Sequence, residues 1–598
     1  MPRIHRILST CFVLALLSTA GCYAMAGKAL DLPPYTDASG DSLEERVPMR
    51  DGVRLRTEVF LPEGEGPWPV IVIRNPYNFA GGGFKRVAQL FSRYGYVGVH
   101  QLARGRHDSE GEWLPFFNER NDGLDTLDWI IEQPWHDGNI GFFGASYLSM
   151  VQWAMADVLP PEVKTLVPMV WGSDVRGLAY EGGMFRHEVT TTWAALMHSE
   201  KLTYGNMFNY WRALSHRPHV EVDERYFGKE LPWYREWVLS PRGDAPLWNL
   251  PDARLLREVP EHTTVPVLMV GGWYDIFINS QLDDFNRLAS REKSRILIGP
   301  WTHLMGFSGD GIRPLPDADG GAALMEKVLN WFDHYLKGGE LAEWGPMETY
   351  TIGDGQWRRW DHWPPPTQTG TFYLHEAEKS TSCNGGKLLL EPPVYHSAVS
   401  YTYDPEDPVP SRGGAGLLSF AIPGWRGTPP SMRDQAGLCD RSDVLTFTSP
   451  PLAKDVYLAG PLRVEMTVSS DAEDTAFSVK IIEVDPEGVA VNIRDTITSL
   501  AYRNGVTIPV EYQPGEPVDL VLETWPIEWK IPRGHRVRVD VSSSNFPAYH
   551  VHSNHAGPWA LQAETRKAVQ TLHVGPGHPA RLELPIVPPY RETEVVQR

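Results

Sequence analysis

Short runs of apolar residues without alternating polar positions recur through the first half of the chain, separated by longer mixed segments. Runs of this kind are typical of strands that are buried on both faces of a parallel sheet. The clearest of them cover residues 70–73, 96–100, 140–143, 165–170, 265–270 and 295–298. The pattern predicts an α/β domain built on a mostly parallel sheet.

Further elements of this region follow from the same pattern. The turn signal Arg50-Asp51-Gly52 separates two strand-like runs, residues 47–49 and 53–60, which predicts a hairpin. Residues 122–133 and 324–336 each carry apolar side chains on one helical face and stop before a proline or a pair of glycines. These two segments are predicted to be helices.

The stretch between residues 170 and 265 is too long for one crossover connection, and we interpret it as an inserted helical cap. Aromatic side chains in such a cap either line a ligand pocket or add a packing layer, and the sequence leaves both interpretations open. The residues concerned are Trp193, Trp211, Trp233, Trp237 and Trp248.

The sequence pattern of the chain changes after Trp363. Pro364-Pro365-Pro366 and the following Thr367-Gln368-Thr369-Gly370 are typical of a linker. Beyond it, strand-like runs punctuated by glycine and proline occur at residues 456–458, 462–468, 477–484, 537–541 and 571–574. Residues from 371 onward are therefore predicted to form an all-β sandwich.

Composition and charge narrow the possible functions. Of the 598 residues, 42% are hydrophobic and 22% charged, which indicates a folded protein. There are 55 Lys and Arg against 75 Asp and Glu, a formal net charge of −20. Because a nucleic-acid-binding protein presents a basic face, this balance argues against nucleic acid as the main partner.

Residues 1–26 have the pattern of a secretory signal peptide. Two arginines precede the apolar residues 7–20, and Ala24-Met25-Ala26 provides a small-residue cleavage pattern. The alternative is a lipoprotein signal in which Cys22 is lipidated. We expect a periplasmic or secreted protein.

Few cysteines remain outside this segment. Cys11 and Cys22 fall within the predicted signal, which leaves Cys383 and Cys439. Two cysteines do not form a disulfide scaffold. They either make one bridge or stay as two free thiols, and the sequence leaves both open.

The strongest chemical signal is Ile140-Gly141-Phe142-Phe143-Gly144-Ala145-Ser146, in which an apolar strand runs into Gly-x-Ser and then a helix-like segment. A serine on a sharp strand-to-helix turn stands at the top of the sheet, and small neighbours allow the backbone to turn that tightly. Leu148 occupies the last glycine position of the Gly-x-Ser-x-Gly formula. The context nevertheless predicts a nucleophile elbow with Ser146 as the nucleophile.

A serine nucleophile on this fold requires an acid and a histidine in later loops, in the order Ser, Asp, His. Asp275 follows the run at residues 265–270, and His303 follows the run at residues 295–298. The order predicts Ser146, Asp275 and His303 as a catalytic triad.

The tetrahedral intermediate of such a reaction also requires two hydrogen-bond donors for its oxyanion. The backbone N–H of Tyr147, directly after the nucleophile, is predicted to be one donor. The hydroxyl of Tyr77, close to the end of the run at residues 70–73, is predicted to be the other. The glycine-rich stretch Ala80-Gly81-Gly82-Gly83 is the alternative, and we interpret it as a flexible loop.

Five segments carry a family resemblance: Arg74-Asn75-Pro76-Tyr77, Gly144-Ala145-Ser146-Tyr147, Gly272-Trp273-Tyr274-Asp275, Gly299-Pro300-Trp301-Thr302-His303 and Ser542-Ser543-Ser544-Asn545-Phe546-Pro547. Together they resemble the bacterial cocaine esterase family, which includes X-Pro dipeptidyl-peptidases, α-amino acid ester hydrolases and glutaryl-cephalosporin acylases. The resemblance implies an α/β-hydrolase domain, an inserted helical cap and a C-terminal jelly roll, with no metal or cofactor. It also implies the triad named above, with Tyr77 and Tyr147 as the oxyanion hole.

The predicted domain organisation combines these features. Residues 1–26 are the signal peptide, 41–172 and 257–366 are the two parts of the α/β-hydrolase domain, 173–256 are the helical cap, and 371–598 are the jelly-roll β-sandwich.

Departures from the family's patterns concern the substrate. Ser149 replaces the last glycine of Gly-x-Ser-Tyr-x-Gly, and Leu102 replaces the aspartate of Asp-x-Arg-Gly. In α-amino acid ester hydrolases, carboxylates shortly after the triad aspartate bind the substrate ammonium, whereas Ile276-Phe277-Ile278-Asn279 follow Asp275 here. The comparison with the family implies a neutral or aromatic acyl group.

Two polar clusters have a metal-binding alternative. We interpret both as solvated loops, because isolated runs of histidines or acids on a surface are common without a metal. The clusters are His550, His552 and His555, and Asp108, Glu110 and Glu112.

The sequence therefore predicts a serine hydrolase that cleaves small-molecule esters or amides through an acyl-enzyme, with a carboxylesterase as the first choice. The alternatives are an X-Pro dipeptidyl-peptidase or a β-lactam (glutaryl-cephalosporin) acylase. Outside enzymes, the alternative is a carbohydrate-binding or interaction protein with an inactive hydrolase fold. No cofactor is expected, and a homo-oligomer is compatible with the sequence.

Overall fold

The computed structural model describes residues 40–77, 83–199, 210–305, 315–316, 318, 322–417, 429–578 and 580–588. The predicted signal peptide, its alternative lipidation site Cys22 and the stretch Ala80-Gly81-Gly82 lie outside the described residues. Within the described part of the chain, every helix is too short or too polar to cross a bilayer.

A ten-stranded sheet lies at the centre of the first half of the molecule. The strands of this half are β1 (Ser42–Pro48), β2 (Arg54–Phe60), β3 (Trp68–Asn75), β4 (Val97–Leu102), β5 (His136–Ala145), β6 (Val163–Met169), β7 (Tyr180–Glu181), β8 (Met184–Phe185), β9 (Leu268–Tyr274), β10 (Arg295–Thr302), β11 (Met347–Thr351) and β12 (Gln356–Trp360). β7 and β8 form a separate hairpin, and the others follow the order β1-β2-β4-β3-β5-β6-β9-β10-β11-β12. The pairings between β4 and β11 are parallel and those at the two edges are antiparallel, which confirms the predicted sheet.

Helices cover the sheet and form the inserted cap. In chain order they are α1 (Gly83–Ser92), α2 (Glu119–Ile131), α3 (Tyr147–Trp153), α4 (Val175–Ala179), α5 (His187–Met197), α6 (Tyr210–Ser215), α7 (Pro232–Val238), α8 (Pro251–Glu258), α9 (Ile278–Arg287) and α10 (Ala322–Lys337). α1, α2, α3, α9 and α10 pack on the sheet, and α4 to α8 lie between β6 and β9 as the cap. The two helices predicted from periodicity are α2 and α10, with slightly different ends.

β9 and β10 extend beyond the runs predicted for them, and β9 also begins later, at Leu268. The apolar pattern is interrupted at the glycines of both strands, although these glycines belong to the sheet. A Cβ atom on Gly272 would lie 2.3 Å from the carbonyl oxygen of Trp301, so only glycine permits this close approach of the two strands.

The second half of the chain is a β-sandwich, as predicted. Its strands are β13 (Gln368–His375), β14 (Gly386–Leu389), β15 (Ser397–Tyr403), β16 (Leu445–Thr448), β17 (Val456–Gly460), β18 (Arg463–Ser470), β19 (Ala476–Val484), β20 (Ala490–Ser499), β21 (Val518–Glu523), β22 (Ile527–Ile531), β23 (Arg536–Ser542), β24 (Ala568–Val574) and β25 (Ala580–Ile586). The linker prediction was wrong for Gln368-Thr369-Gly370. These residues begin β13 and pair with β25, and a Cβ atom on Gly370 would lie 2.3 Å from Cδ1 of Ile586.

The cap and the sandwich meet along the segment that contains the predicted histidine cluster. The backbone N–H of Phe185 donates to Nδ1 of His550 at 2.9 Å, and the rings of Phe185 and Trp559 stack at 4.9 Å. His550 and His552 are 4% and 6% exposed, so the prediction of a solvated loop was wrong for them. The cap covers His550, whereas Nε2 of His552 lies 3.3 Å from Oδ2 of Asp474 within the sandwich.

The structure also shows the exposure of the acidic cluster and the pairing of the two cysteines. Asp108, Glu110 and Glu112 are exposed, as predicted. Cys383 and Cys439 form a disulfide, with their Cα atoms 4.9 Å apart. Among the described residues, the one group of three potential ligand side chains that lie close together consists of these two cysteines and Asp440, so the three histidines do not form such a group.

The buried histidine His187 of α5 should make the folded state sensitive to acid. Burial lowers the pKa of His187 to about 4, whereas an unfolded histidine titrates near its ordinary value of about 6.5. Between these values the unfolded chain binds a proton that the folded protein excludes, so stability is lost as the pH falls, by about 1.4 kcal/mol per pH unit for this group.

His187→Gln removes this proton uptake while its side-chain amide replaces Nε2 as the donor to the Leu214 carbonyl, which Nε2 reaches at 2.8 Å. When the pH is lowered from about 7 to about 5, we expect the melting temperature of the variant to fall by less than that of the wild type. The exposed His362→Gln is the matched control. An equal loss in the wild type and in His187→Gln would contradict the prediction.

Candidate active site

Ser146 lies on a strained turn between β5 and α3. Its φ of 59° is rare for a residue with a side chain, and its backbone N–H donates to the Met169 carbonyl at 2.9 Å. A Cβ atom on Gly144 would lie 2.4 Å from Cβ of Leu148, so the turn requires glycine at that position. These features are those of a nucleophile elbow, in which the turn holds the serine at the end of the strand.

The serine that replaces the family's last glycine is accommodated inside this elbow. Ser149 is fully buried, and its Oγ lies 2.8 Å from the Gly144 carbonyl and 2.9 Å from the Met169 carbonyl. The same oxygen accepts a hydrogen bond from the backbone N–H of Met169 at 2.8 Å. The hydroxyl therefore joins the elbow to β6, and its burial is compensated by hydrogen bonds.

The structure brings Ser146, His303 and Asp275 into one hydrogen-bonded chain. Nε2 of His303 lies 3.0 Å from Oγ of Ser146, and Nδ1 of His303 lies 2.6 Å from Oδ1 of Asp275. Asp275 follows β9 and His303 follows β10, so neighbouring parallel strands deliver the two side chains to the same edge of the sheet. This is the arrangement in which a histidine accepts a proton from serine while a carboxylate fixes its tautomer.

Asp275 is completely shielded from solvent. The second carboxylate oxygen of Asp275 accepts a hydrogen bond from the backbone N–H of Phe277 at 3.2 Å. The backbone N–H of Asp275 donates to the Gly272 carbonyl at 2.9 Å. The ring of Phe277 also packs against His303 at 5.7 Å. Residues on both sides of the aspartate therefore orient it toward the histidine.

The hydroxyl of Tyr77 lies beside the nucleophile. It interacts with the Ser146 side chain and accepts a hydrogen bond from Nε1 of Trp193 at 3.2 Å. Asn75 holds the tyrosine backbone, donating to its carbonyl at 2.7 Å and accepting its N–H at 2.8 Å. Burial raises the pKa of Tyr77, so the phenol keeps its proton and remains a hydrogen-bond donor at neutral pH.

Tyr147 is the first residue of α3, where a backbone N–H has no partner within the helix. Its side chain points away from this position. The hydroxyl donates to Oε1 of Glu119 at 2.9 Å and accepts the backbone N–H of Phe116 at 3.1 Å. Glu119 is itself paired with the buried Arg74 at 3.1 Å, so the side chain of Tyr147 anchors the elbow to α2 and β3.

An apolar pocket opens at Ser146. Its polar groups are few, and most of its wall is aromatic or aliphatic. All three parts of the protein contribute: the α/β domain, the cap and, through Leu417, the sandwich. The apolar wall consists of Phe116, Trp171, Leu178, Val189, Trp193, Trp237, Ile276, Phe277 and Leu417.

The cap tryptophans combine the two roles that the sequence left open. Trp193 and Trp237 line the pocket and stack on each other at 5.7 Å, while Trp233 packs against both. Trp248 is buried away from the pocket wall, and its Nε1 donates to the Ser240 carbonyl at 2.7 Å. The cap is therefore both a packing layer and a pocket wall.

Sequence reasoning missed several residues of the site. The sequence pattern places Trp193 in the cap but does not indicate that its indole N–H orients the Tyr77 hydroxyl. Phe116 and Trp171 were not identified. Trp171 lies just beyond the carboxyl end of β6, and the strand-end rule that located His303 could have indicated it. Phe116 lies in a loop without a recognisable motif.

Comparisons with known proteins identify the family of the chain. Residues 51–305 match the family model of the X-Pro dipeptidyl-peptidase (S15 family), and residues 343–583 match that of the X-Pro dipeptidyl-peptidase C-terminal non-catalytic domain. The cocaine esterase of Rhodococcus sp. (strain MB1 Bresler) is 33% identical over 577 residues, which cover 90% of this chain and 97% of that protein.

Two solved structures show the same fold. An aminopeptidase from a marine sediment Thaumarchaeota archaeon aligns with a TM-score of 0.79 at 24% identity, covering 93% of this chain and 98% of its own. An α-amino acid ester hydrolase aligns with a TM-score of 0.77 at 23% identity and the same coverage. Because the likeness to the esterase extends over nearly the whole chain, and residues 51–305 match the S15 peptidase model, this protein belongs to the cocaine esterase family of serine hydrolases.

Proposed function

We propose that the protein is a carboxylesterase that transfers a neutral apolar or aromatic acyl group from an ester to Ser146 and then to water. The observation that carries this proposal is that the hydrogen-bonded chain of Ser146, His303 and Asp275 opens directly onto an apolar pocket. An acyl group in this pocket would bury apolar surface at about 25 cal/mol per Å².

In the proposed reaction, Oγ of Ser146 attacks the ester carbonyl and its proton passes to Nε2 of His303. Asp275 accepts the Nδ1–H of the resulting imidazolium, which keeps the ring oriented. The tetrahedral intermediate collapses, the ester C–O bond breaks, and His303 returns the proton to the departing alcohol. Water then enters, and its oxygen attacks the acyl carbonyl while His303 removes one of its protons. The second tetrahedral intermediate collapses with cleavage of the bond between the acyl carbon and Oγ of Ser146, His303 returns the proton to Oγ, and the carboxylic acid leaves.

The oxyanion of both intermediates would be held by the backbone N–H of Tyr147 and the hydroxyl of Tyr77. Because the Tyr77 oxygen already accepts the indole N–H of Trp193, its own proton is directed elsewhere, and the neighbouring nucleophile marks the place where the oxyanion forms. Donors that are fixed before the reaction need no reorganisation when the charge develops.

The choice of a neutral acyl group rests on the charges around the pocket. The described residues that line it include no carboxylate. The nearest one along α5, Glu188, is buried and accepts the backbone N–H of Leu417 at 2.8 Å. An α-ammonium group would lose its hydration in this pocket without gaining a carboxylate partner in its wall, which disfavours peptidase or amino-acid ester substrates.

Ser146→Ala should eliminate turnover and leave the fold intact, because it removes one hydroxyl at the end of a strand. A fluorophosphonate probe should label the wild type at Ser146 and fail to label the variant, while both give the same melting temperature. Activity near the wild-type level in the variant would rule out the proposed nucleophile.

Matched esters should separate the two kinds of acyl group. The p-nitrophenyl esters of phenylacetic acid and phenylglycine differ only in the α-amino group, and we expect the phenylacetyl ester to have the higher kcat/KM. A preference of about tenfold for the phenylglycyl ester, about 1.4 kcal/mol in transition-state binding, would overturn the proposal. X-Pro and β-lactam amides in the same screen test the alternative activities.

Tyr77→Phe should lower kcat by about 10² to 10³, the usual cost of one oxyanion donor, with little change in KM. Tyr147→Phe is the matched control, because it also removes one buried phenol hydroxyl but leaves the backbone N–H in place. Its kcat should fall far less than that of Tyr77→Phe. Equal kcat in Tyr77→Phe and the wild type would assign the second donor elsewhere, with the backbone of residues 81–83 as the alternative.

A further inference from the structure

The segment that carries Asp275 is held by arginines from outside its own domain. The carbonyl of Trp273 accepts a hydrogen bond from Nη2 of Arg494, a residue of β20 in the sandwich. The carbonyl of Ile276 accepts a hydrogen bond from Nη1 of Arg186, a residue of the cap, at 3.1 Å. The two contacts fall on either side of the aspartate.

Arg494 is oriented by the fold of the sandwich. The pairing of β19 with β20 shifts register next to it, since Ile481 pairs with Arg494 but Ile482 pairs with Asn492. Such a bulge changes the direction of the neighbouring side chains. Arg494 is 3% exposed, its guanidinium lies 5.4 Å from the ring of Tyr274, and Nη2 also donates to the Pro526 carbonyl at 2.6 Å.

The contacts of this guanidinium indicate a positioning role. Nη2 bonds two main-chain carbonyls, one in the sandwich and one beside Asp275, so it links two backbones directly. Burial lowers the pKa of Arg494 to about 10, which leaves the group charged at neutral pH. A charged donor makes stronger hydrogen bonds to carbonyl oxygens than a neutral one.

We propose that Arg494 is a positioning residue for the hydrolytic reaction: from the sandwich domain, it holds the backbone beside Asp275 so that the carboxylate stays at hydrogen-bond distance from His303. Arg186 supports the same segment from the cap. This inference rests on the proposed role of Asp275 in the triad. It gives the sandwich a part in catalysis that is separate from its contribution to the pocket wall.

The physical basis is that the triad tolerates only small displacements of its side chains. Asp275 and His303 come from different loops, and their side chains are 2.6 Å apart. Displacements of about 1 Å at a catalytic group can cost about 10²-fold in rate. Because Arg494 is not among the residues that line the pocket at Ser146, its loss should reduce the rate of acylation without weakening substrate binding.

The test is Arg494→Met, which keeps most of the buried length and removes the donors. We expect kcat on a p-nitrophenyl ester to fall about 10- to 100-fold while KM changes by less than about threefold. The rate of Ser146 labelling by a fluorophosphonate should fall in parallel, because labelling also needs His303 and Asp275. Arg494→Lys, which keeps one charged donor, should recover part of both rates.

Arg538→Met is the matched control. Arg538 is also 3% exposed and lies on β23 of the sandwich, but it pairs with Asp540 of the same strand at 2.8 Å. The melting temperature of the Arg538→Met variant should fall while its kcat stays at the wild-type level. Equal kcat losses in the Arg494 and Arg538 variants, or wild-type kcat in Arg494→Met, would overturn the inference.

Two replacement variants and the labelling of the wild-type protein cover the remaining outcomes. If Arg494→Met does not fold, Arg494→Lys and Arg186→Met take its place, and wild-type kcat in both would overturn the inference. Absence of Ser146 labelling in the wild-type protein would instead overturn the proposed function itself. Normal labelling of the wild type together with unchanged rates in the arginine variants would overturn only the role of Arg494.

Discussion

The hydrogen bond between Asp275 and His303 is the contact on which the rest of the active site depends. It joins the loops after two neighbouring strands, and its carboxylate is fully shielded from water. A buried carboxylate is stable only when hydrogen-bond donors surround it. The donors here are the histidine and a backbone N–H, and the strands beneath approach closely enough to align them because Gly272 has no side chain.

The shielding of this contact from water also explains why three parts of the chain form one enzyme. The sheet supplies the reacting groups, but the cap and the sandwich exclude water and complete the pocket. At their junction the buried histidines His187, His219 and His550 have pKa values lowered by burial and stay neutral. The charged Arg494 lies where the sandwich meets β9 and is held by its contacts with main-chain carbonyls of both.

Relatives of similar fold bear the names of an esterase, an aminopeptidase and an amino-acid ester hydrolase, so the scaffold alone does not define the substrate. In this chain the residues after Asp275 are apolar, and Ile276 and Phe277 belong to the pocket wall. Ser149 is a departure of another kind, because its buried hydroxyl only secures the elbow. Substitutions in the pocket wall therefore bear on specificity more than those beneath the nucleophile.

The sequence by itself determined the parallel sheet, the sandwich, the elbow and the order of Ser146, Asp275 and His303, because apolar runs and strand-end positions are local patterns. It missed β11 and β12, whose polar residues are buried by partners such as Glu528 in the sandwich. It also misjudged the exposure of His550. Only the tertiary structure decided these features, along with the orientation of the Tyr77 hydroxyl and the contact of Arg494, because each depends on residues that are distant along the chain and meet only after folding.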